Sequence, residues 1–382
     1  MSEPIPFNRP HLTGGEHDAL EEAVERGHLS GNGVFADRCA SWVCDELDGE
    51  AALIVPSCTA ALEMAATLAG VGDGDEVIMP SFSFVSTANA VVLRGGVPVF
   101  VDVREDTLNL DVDRVAAAVT PKTKAVICVH YAGVGCDMEG LLELCRDRGL
   151  VLIEDVAHGI HASYRGRPLG SFGTLATLSF HETKNIQCGE GGALLINDPD
   201  LREAAEILQE KGTNKRSFLR GQVDKYTWVD IGSSYLMSEV SAAFLWAQMQ
   251  HVDDITERRL SIWQHYHEAF EDLESRGLLR RPWVPPDREH NAHLFHVRLA
   301  DEAQRNDFID GLADHGVQSV FHYVPLHTSP GGRRFARTGG SLEVTERESA
   351  RLARLPLWVD MTEAHVERVV RAVREVIGPS PP

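Results

Sequence analysis

Long apolar runs are missing from this 382-residue chain, and no apolar stretch approaches the roughly 18 residues that a membrane-spanning helix needs. The sequence also lacks a Cys-x-x-Cys pair, and its 7 cysteines are an odd number, which favours reduced packing thiols over a disulfide framework. The first residues, MSEPIPFNRP, lack the charged-then-apolar pattern of a signal peptide. We therefore expect a cytoplasmic protein that does not engage a membrane.

Positive charge is scarce, with 36 Lys and Arg against 57 Asp and Glu and a formal net charge of -21. A surface this acidic argues against a general nucleic-acid binder, so any anionic ligand must be held by a local basic cluster. P-loop and G-x-S-x-G motifs are absent, and the glycines of 70–74 follow a helix instead of a strand, unlike a dinucleotide fingerprint. His158 and His161 are loosely spaced and have no accompanying cysteine, so we predict no metal centre.

Lysine is especially rare, and among the six lysines only Lys184 lies between an apolar run and a glycine-rich turn that leads into a second apolar run, 193–196. Burying an unpaired ammonium is costly, and one good reason to do so is to make the amine reactive toward carbonyls. The alternative is a lysine at a loop tip that reaches solvent. The stretch by itself does not decide between the two.

Short apolar strands alternate with helical patterns along the first half of the chain. This alternation predicts an α/β fold with a large, mainly parallel sheet of the seven-stranded type, covered by helices on both faces. The predicted strands are Ala51–Val55, Asp75–Met79, Val97–Val101, Ala125–His130 and Val151–Ile153, with the antiparallel strands Leu175–Phe180 and Ala193–Ile196 on either side of Lys184. In such sheets ligands gather at the carboxyl ends of strands. Thr59, Phe84, His130, Asp155 and Lys184 all lie at or just after predicted strand ends.

The last third of the chain has its own pattern of elements. A proline-rich segment at 280–286 interrupts the helical pattern, and a strand at 293–299, a helix at 301–315 and a strand at 317–324 follow. The last predicted element is an amphipathic helix over 362–377. We therefore predict a large domain over 1–248, which includes the N-terminal segment, and a small C-terminal α/β domain over 249–382.

An aldehyde cofactor with a phosphate and a ring nitrogen fits the residues at the strand ends. Pyridoxal phosphate needs a lysine, a carboxylate beside the pyridine nitrogen, and a phosphate site. Asp155 could keep that nitrogen protonated, the helix start at 57–59 with Ser179 could hold the phosphate, and Phe84 could cover the ring. Each residue also has an ordinary alternative role, as a helix N-cap, a capped helix start or an aromatic core residue.

A second candidate feature is a predicted polar loop over 212–230, which carries the basic residues Lys215, Arg216, Arg220 and Lys225. Within so acidic a chain this cluster could bind an anionic substrate. A solvated surface loop is the alternative that the sequence leaves open.

Several stretches resemble the DegT/StrS-type sugar-nucleotide aminotransferases, which are fold-type-I, pyridoxal-phosphate-dependent transferases. The resemblance extends over nearly the whole chain and includes PSCTAALEMAA, SFHETKN, GEGGALLIND, RGQVDKYTW, FHYVPLH and RLPLW. SFHETKN and RGQVDKYTW are similar to the corresponding motifs of the subgroup that makes dTDP-4-amino-4,6-dideoxy-D-galactose. The resemblance implies transamination of the 4-keto group of dTDP-4-keto-6-deoxy-D-glucose, with L-glutamate as donor and 2-oxoglutarate as co-product. It also implies a homodimer with shared active sites.

The same resemblance implies roles for individual residues. Lys184 would bind the cofactor aldehyde and move the proton, and Asp155 would pair with the pyridinium. The remaining cofactor positions are Cys58, Thr59, Phe84, His158 and Ser179, with Arg220 and Lys225 for the diphosphate and Tyr323 and His327 for the sugar. His158 stands where relatives usually carry glutamine. Leu236 stands where many carry an asparagine that reaches the partner's phosphate, and Ser234 is a candidate replacement.

Two other classes of function compete with this interpretation. Related sugar dehydratases carry histidine at the lysine position, so Lys184 argues against that activity. A non-catalytic, regulatory member would not need Lys184, Asp155 and the phosphate site together. Among aminotransferases, a gluco-configured 4-amino product or a 3-keto acceptor stays open, because the sequence gives no physical handle on which ring face is aminated.

Overall fold

The computed structural model describes residues 3–378. Within that range the strands are Ala51–Val55 (β1), Glu76–Pro80 (β2), Val97–Val101 (β3), Thr123–Val129 (β4), Val151–Asp155 (β5), Ser163–Tyr164 (β6), Arg167–Pro168 (β7), Leu175–Ser179 (β8), Gly192–Ile196 (β9), Arg288–Glu289 (β10), Phe295–Arg298 (β11), Val320–Phe321 (β12), Arg337–Thr338 (β13) and Leu352–Leu355 (β14). The helices are Glu16–Glu25 (α1), Val34–Leu47 (α2), Cys58–Leu68 (α3), Val85–Val92 (α4), Val112–Ala118 (α5), Met138–Arg148 (α6), Arg202–Gln209 (α7), Lys215–Leu219 (α8), Glu239–Met249 (α9), Val252–Ala269 (α10), Glu271–Ser275 (α11), Glu302–Asp314 (α12), Pro330–Phe335 (α13), Glu343–Arg351 (α14) and Glu363–Ile377 (α15).

The largest sheet has eight strands in the order β1-β9-β8-β5-β4-β2-β3-β13. All neighbours from β8 to β13 are parallel, whereas β9 is antiparallel to both β1 and β8. The predicted mainly parallel sheet is therefore confirmed, including the antiparallel pair on either side of Lys184. The additional strand, β13, comes from the C-terminal part of the chain and pairs with β3.

Two predicted elements were wrong in detail. The predicted strand over 317–324 is a strand only at Val320–Phe321, because the chain after Phe321 leaves the sheet, and His322 and Tyr323 line a cavity. The predicted loop over 212–230 contains the short helix α8, whose five residues, KRSFL, carry no apolar periodicity that sequence analysis could detect.

Alternating side chains of the large sheet enter two apolar clusters, one on each face. Ile78, Val126 and Leu178 belong to the first cluster, in which α2, α6 and α9 pack on the sheet. Their strand neighbours Val77 and Ile127 belong to the second cluster, together with residues of α3 and α4. This period-2 burial is typical of a sheet covered on both faces, and it leaves the strand ends as the open edge of the sheet.

A third cluster surrounds the antiparallel sheet β11-β14-β12 and includes residues of α10, α12 and α15. Because α10 begins at Val252, this cluster supports the proposed division near residue 249. Two segments cross the division. Ile5 forms a parallel bridge with Val317 and is buried in the third cluster, and β13 joins the large sheet.

A fourth, smaller cluster joins the two parts of the chain beside the strand ends. It packs Phe82 and Tyr131, which follow strands of the large sheet, against Leu294 and Leu352 of the C-terminal part. Throughout residues 3–378, each helix is too short or too polar to cross a bilayer. All seven cysteines are free thiols.

Candidate active site

A cavity of about 780 Å³ lies at the carboxyl ends of the parallel strands. Residues of both parts of the chain line it, including Phe321, Arg354 and Leu357 from the C-terminal part. Its wall brings together most of the residues predicted for the cofactor and the sugar, namely Cys58, Thr59, Phe84, Asp155, His158, Ser179, Lys184 and Tyr323. The sequence-based expectation of a strand-end cleft around Lys184 is therefore confirmed.

Lys184 lies in the turn between β8 and β9, where its backbone N–H donates to the carbonyl of His181 at 2.9 Å. The next residue, Asn185, anchors this turn to the C-terminal part of the chain: its Nδ2 donates to Asn291 O at 2.9 Å, and its Oδ1 lies 3.0 Å from His293 Nδ1. Burial lowers the pKa of Lys184, against the opposing charge of Asp155. A larger fraction of the amine is therefore neutral and nucleophilic at neutral pH than in an ordinary lysine.

Asp155 is the last residue of β5, and its carboxylate is buried. Oδ2 accepts a hydrogen bond from the Thr87 hydroxyl at 3.0 Å, and Oδ1 accepts one from the Ala157 N–H at 3.1 Å. Burial raises the pKa of this carboxyl, and the two donors partly oppose that shift. A buried carboxylate so arranged is suited to a cationic N–H group in the cavity.

The start of α3 forms an anion cradle beside the same cavity. Ser57 is the N-cap, and its Oγ accepts the Ala60 N–H at 3.1 Å. The first-turn N–H groups of the helix have no intrahelical acceptor, and the macrodipole adds positive potential there. Thr59 Oγ1 lies 2.8 Å from Ser86 Oγ, so two hydroxyls border this helix start.

Gly192 allows β9 to pass close beneath that helix start. A Cβ atom at this position would lie only 2.5 Å from Cys58 N and 2.7 Å from Ser57 O, both of which are backbone atoms. A side chain larger than hydrogen would therefore push the strand and the helix apart. The glycine-rich turn after Lys184 serves the cradle as well as the lysine.

Neutral histidines and a tyrosine form another wall of the cavity. His158 Nε2 lies 3.2 Å from Tyr323 Oη, and His158 Nδ1 accepts the Ala132 N–H at 3.4 Å. His293 stacks on His158 with ring centroids 4.1 Å apart. Burial, reinforced by the charge of Lys184, lowers the pKa of His158 well below its usual value. With Nδ1 accepting, the neutral ring carries its proton on Nε2 and donates toward Tyr323.

Other sequence-predicted residues do not reach the cavity of their own chain. Arg220 forms an ion pair with the buried Glu206, and Lys225 is exposed. His327 Nδ1 lies 2.7 Å from Ser81 Oγ, and its Nε2 lies 2.9 Å from Glu346 Oε1. Leu236 and the exposed Ser234 also lie outside the cavity lining.

Sequence reasoning missed several cavity residues. Thr87 lies one turn beyond Phe84 on α4, and His322 directly precedes Tyr323, so both were close to residues that the motifs indicated. Arg354 gave no signal beyond its presence in RLPLW. Its position in the cavity follows from the packing of β14 against the end of the large sheet, which local sequence does not specify.

A cluster of buried titratable side chains lies next to the cavity, and its members form hydrogen bonds with other groups of the protein. Cys128, His130 and Cys136 bring their side-chain ligand atoms within 4.8 Å of one another. His130 Nε2 is 3.0 Å from Glu154 Oε2, and that carboxylate also accepts N–H groups of Gly170, Phe172 and Gly173. The cluster therefore braces the ends of β4 and β5. His161, by contrast, turns away from His158 to Glu46 and Asp253.

Comparisons with known proteins agree with this arrangement. Residues 10–374 match the DegT/DnrJ/EryC1/StrS aminotransferase family. The aminotransferase TlmJ from Streptoalloteichus hindustanus is 32% identical, with a TM-score of 0.89, over 98% of this chain and 99% of that chain. DesV of S. venezuelae, solved in complex with a ketimine intermediate, is 30% identical, with a TM-score of 0.90, over 100% of both chains. An aminotransferase from Psychrobacter cryohalolentis is 26% identical, with a TM-score of 0.91, over 97% of this chain and 98% of that chain.

These likenesses extend over almost the whole length of the chain, so they include both the large sheet and the C-terminal part. They confirm the predicted aminotransferase fold and the predicted class of enzyme. The chain belongs to the DegT/DnrJ/EryC1/StrS aminotransferase family.

Proposed function

We propose that this protein is a pyridoxal-phosphate-dependent transaminase of a nucleotide-linked keto sugar. The proposed reaction moves the amino group of L-glutamate to the 4-keto group of dTDP-4-keto-6-deoxy-D-glucose, giving dTDP-4-amino-4,6-dideoxy-D-galactose and 2-oxoglutarate. The observation that carries the proposal is that Lys184, Asp155 and the anion cradle at the start of α3 border one cavity. The family and the motifs SFHETKN and RGQVDKYTW support the acceptor class.

The residues of the cavity fit this cofactor. The N–H groups at the start of α3, with the hydroxyls of Thr59 and Ser179, would hold its phosphate. Asp155 would accept the ring N–H, and Phe84, which is 58% exposed at the cavity, would cover a ring face. Bound there, pyridoxal phosphate supplies an aldehyde carbon that joins to amines and a protonated ring that withdraws electrons from the donor.

Lys184 has two roles in the proposed reaction. At rest, its Nζ would hold the cofactor aldehyde. Once displaced by the donor amine, the freed lysine amine would take the proton from the donor α-carbon and pass it to the cofactor carbon that carried the aldehyde. Its lowered pKa suits the second role, because only the neutral amine can act as a base.

Asp155 and the histidine wall prepare the cavity for that proton transfer. Beside a cationic ring nitrogen Asp155 would be ionised, and the hydrogen bonds that Thr87 and Ala157 donate to its carboxylate favour that form. His158 and Tyr323 offer a neutral hydrogen-bonding edge instead of a charge that would compete with Asp155. The chain thus fixes one negative group and keeps the hydrogen-bonding edge formed by His158 and Tyr323 uncharged.

An exposed apolar surface supports a homodimer with shared sites. Leu219 is 71% exposed, Trp228 is 79% exposed and Ile231 is 56% exposed, all within one segment that also carries Arg220 and Lys225. A surface of this kind suits a protein interface. In the proposed dimer, this segment and Leu236 or Ser234 would border the neighbour's cavity, where Lys225 would meet the sugar-nucleotide diphosphate. The seven free thiols support a cytoplasmic location.

The test is NMR analysis of the product formed from L-glutamate and dTDP-4-keto-6-deoxy-D-glucose. The proposal expects an axial amine at C4 of the sugar and stoichiometric 2-oxoglutarate. An equatorial C4 amine, or turnover only with a 3-keto sugar, would replace the proposed product. In parallel, Lys184→Ala should lose the visible absorbance of the lysine-bound cofactor and multiple turnover, and a variant with full turnover would remove the proposed role of Lys184.

A further inference from the structure

A second cavity, of about 360 Å³, lies apart from the cavity around Lys184 and is lined by Arg280, Arg298 and Arg351. We call it the arginine pocket. Its three arginines come from the segment before β10, the end of β11 and the end of α14. Glu274 also lines the pocket but is already paired, because its two oxygens lie 2.8 Å from the backbone nitrogen and from Nε of Arg281. The pocket therefore concentrates positive charge on a chain whose formal net charge is -21.

The carboxylates in and behind the arginine pocket do not balance its arginines. Glu348 is buried, and Arg298 and Arg351 pair with it at 3.2 and 2.6 Å. Within residues 3–378, the connected ion pairs and that of Glu274 join five arginines to three glutamates, namely Arg280, Arg281, Arg298, Arg347 and Arg351 with Glu105, Glu274 and Glu348. Positive charge exceeds negative charge by two in this set.

Arg298 and Arg351 do not use all of their N–H groups within the protein. Arg298 directs only Nη1 to acceptors, the Glu105 carbonyl and the Glu348 carboxylate, and its buried Nε has no hydrogen-bond partner. Arg351 uses Nε and Nη2 for Glu348, at 2.9 and 2.6 Å. In the described part of the chain, Arg298 Nη2 and Arg351 Nη1 have no hydrogen-bond acceptor. Leaving donors of a buried guanidinium unpaired is unfavourable, so the pocket has spare capacity for an acceptor.

The arginines of the pocket also repel one another. Burial lowers the pKa of Arg298, Glu348 opposes that shift, and the like charges of Arg351 and Arg280 add to it. An anion in the pocket would offset both the burial of the guanidinium and the repulsion between its neighbours.

We propose that the arginine pocket binds a phosphoryl group, either of a free phosphate compound or of a nucleotide. A phosphoryl group carries about two negative charges at neutral pH, which matches the excess of positive charge. It presents three oxygens to arginines from three elements, whereas a planar carboxylate presents two, and the arginine fork matches phosphate. The inference does not depend on the proposed function, because within residues 3–378 the pocket shares no lining residue with the cavity around Lys184.

The test is calorimetric titration of the cofactor-loaded enzyme with inorganic pyrophosphate. We expect Arg280→Gln and Arg298→Gln each to raise the Kd for pyrophosphate roughly tenfold, the effect of losing one charge-assisted hydrogen bond. The Arg280 side chain is 55% exposed, so its variant tests the pocket even if the loss of Arg298 beside Glu348 impairs folding. Arg371→Gln, at an exposed arginine on α15, is the matched control and should bind pyrophosphate as wild type does.

Titration with dTDP distinguishes the two sources of the phosphoryl group. A dTDP site that is weakened by Arg280→Gln but not by Lys225→Gln would assign the pocket to a nucleotide. If Arg280→Gln weakened the binding of pyrophosphate alone, the ligand would be a free phosphate compound.

Two results would overturn the proposal. One is a wild-type Kd for pyrophosphate in both Arg280→Gln and Arg298→Gln, each shown to be folded by its thermal melt. The other is pyrophosphate binding that Lys225→Gln weakens and Arg280→Gln does not, which would place the anion at the proposed diphosphate site instead.

Discussion

Thr87 donates its hydroxyl hydrogen to Oδ2 of Asp155 at 3.0 Å, and so links the first turn of α4 to the end of β5. Ser83 Oγ in turn lies 3.0 Å from Thr87 Oγ1, which extends the hydrogen-bonded chain to the residue before Phe84. Hydrogen bonds to a carboxylate favour its ionised form. Thr87 is therefore a positioning residue for the group that would pair with the cofactor ring.

Thr87→Val should weaken cofactor binding about tenfold, the effect of losing one net hydrogen bond to a charged group. Because burial already raises the pKa of Asp155, loss of this donor should raise it further and move the acid limb of the kcat/KM profile to higher pH. Absorbance titration with the cofactor and a pH–rate profile would measure both effects. Thr87→Ser keeps the hydroxyl and should behave like wild type. A valine variant with an unshifted acid limb would contradict the positioning role.

His158→Gln tests the residue that departs from the family pattern. Glutamine can still donate to Tyr323, so we expect kcat within about threefold of wild type, whereas His158→Ala should lose about tenfold because Tyr323 loses its partner. Steady-state kinetics with L-glutamate and the keto sugar would measure this. Equal losses in both variants would indicate that the imidazole itself, and not merely a donor, is required.

Whether a cavity residue could be predicted from the sequence depends on whether local patterns or long-range contacts place it in the cavity. Lys184 and Asp155 could be predicted because apolar strands are local patterns, and parallel strands bring their carboxyl ends to one edge. Thr87 and Arg354 could not, since each reaches the cavity through contacts between elements far apart in sequence. His327 illustrates the reverse: it shares a motif with Tyr323, but a 3₁₀ turn at Leu326–Thr328 directs it to Ser81.

Stability below neutral pH should depend on His296, which is buried and whose Nδ1 has no hydrogen-bond partner. Burial lowers its pKa from 6.5 to about 3, so between these values the unfolded chain binds a proton that the folded chain does not. The folded state therefore loses stability as pH falls below the unfolded pKa, by about 2 kcal/mol near pH 5 for this one group.

His296→Leu removes that titration and the unsatisfied nitrogen, so it should raise the free energy of unfolding, and the gain should be larger near pH 5 than near pH 8. Urea denaturation at the two pH values would measure the difference. His315→Leu, at an exposed histidine, is the control and should leave this pH dependence in place. A gain of equal size at both pH values would mean that His296 does not contribute to the acid sensitivity.

Arg220 and Lys225 should behave differently although one motif contains both. Arg220 pairs with the buried Glu206, so Arg220→Gln should lower the Tm by removing charge compensation from a buried acid. Lys225 is exposed, so Lys225→Gln should leave the Tm unchanged and raise the KM for the nucleotide sugar more than that for L-glutamate. Equal effects on the two KM values would remove Lys225 from the proposed diphosphate site.

Gly192→Ala tests the close approach of β9 to the start of α3. The added methyl would meet the backbone of Ser57 and Cys58, which cannot rotate away as a side chain could. We expect a loss of about 1–3 kcal/mol in the free energy of unfolding, as in other overpacked cores. Weaker cofactor binding should accompany it, because the anion cradle is displaced.

The matched control for this change is Gly340→Ala, since Gly340 is exposed and has no atom within 4 Å of the added Cβ. Thermal denaturation of the apoprotein separates the packing effect from the ligand effect, and inorganic phosphate serves as a probe of the cradle alone. If Gly192→Ala lowered the Tm but left the affinity for phosphate and cofactor unchanged, β9 would support the fold without shaping the cradle. A loss of phosphate affinity larger than the loss of stability can explain would show that the start of α3 binds the phosphate. Gly192 would then contribute to binding by setting the distance between β9 and that helix start.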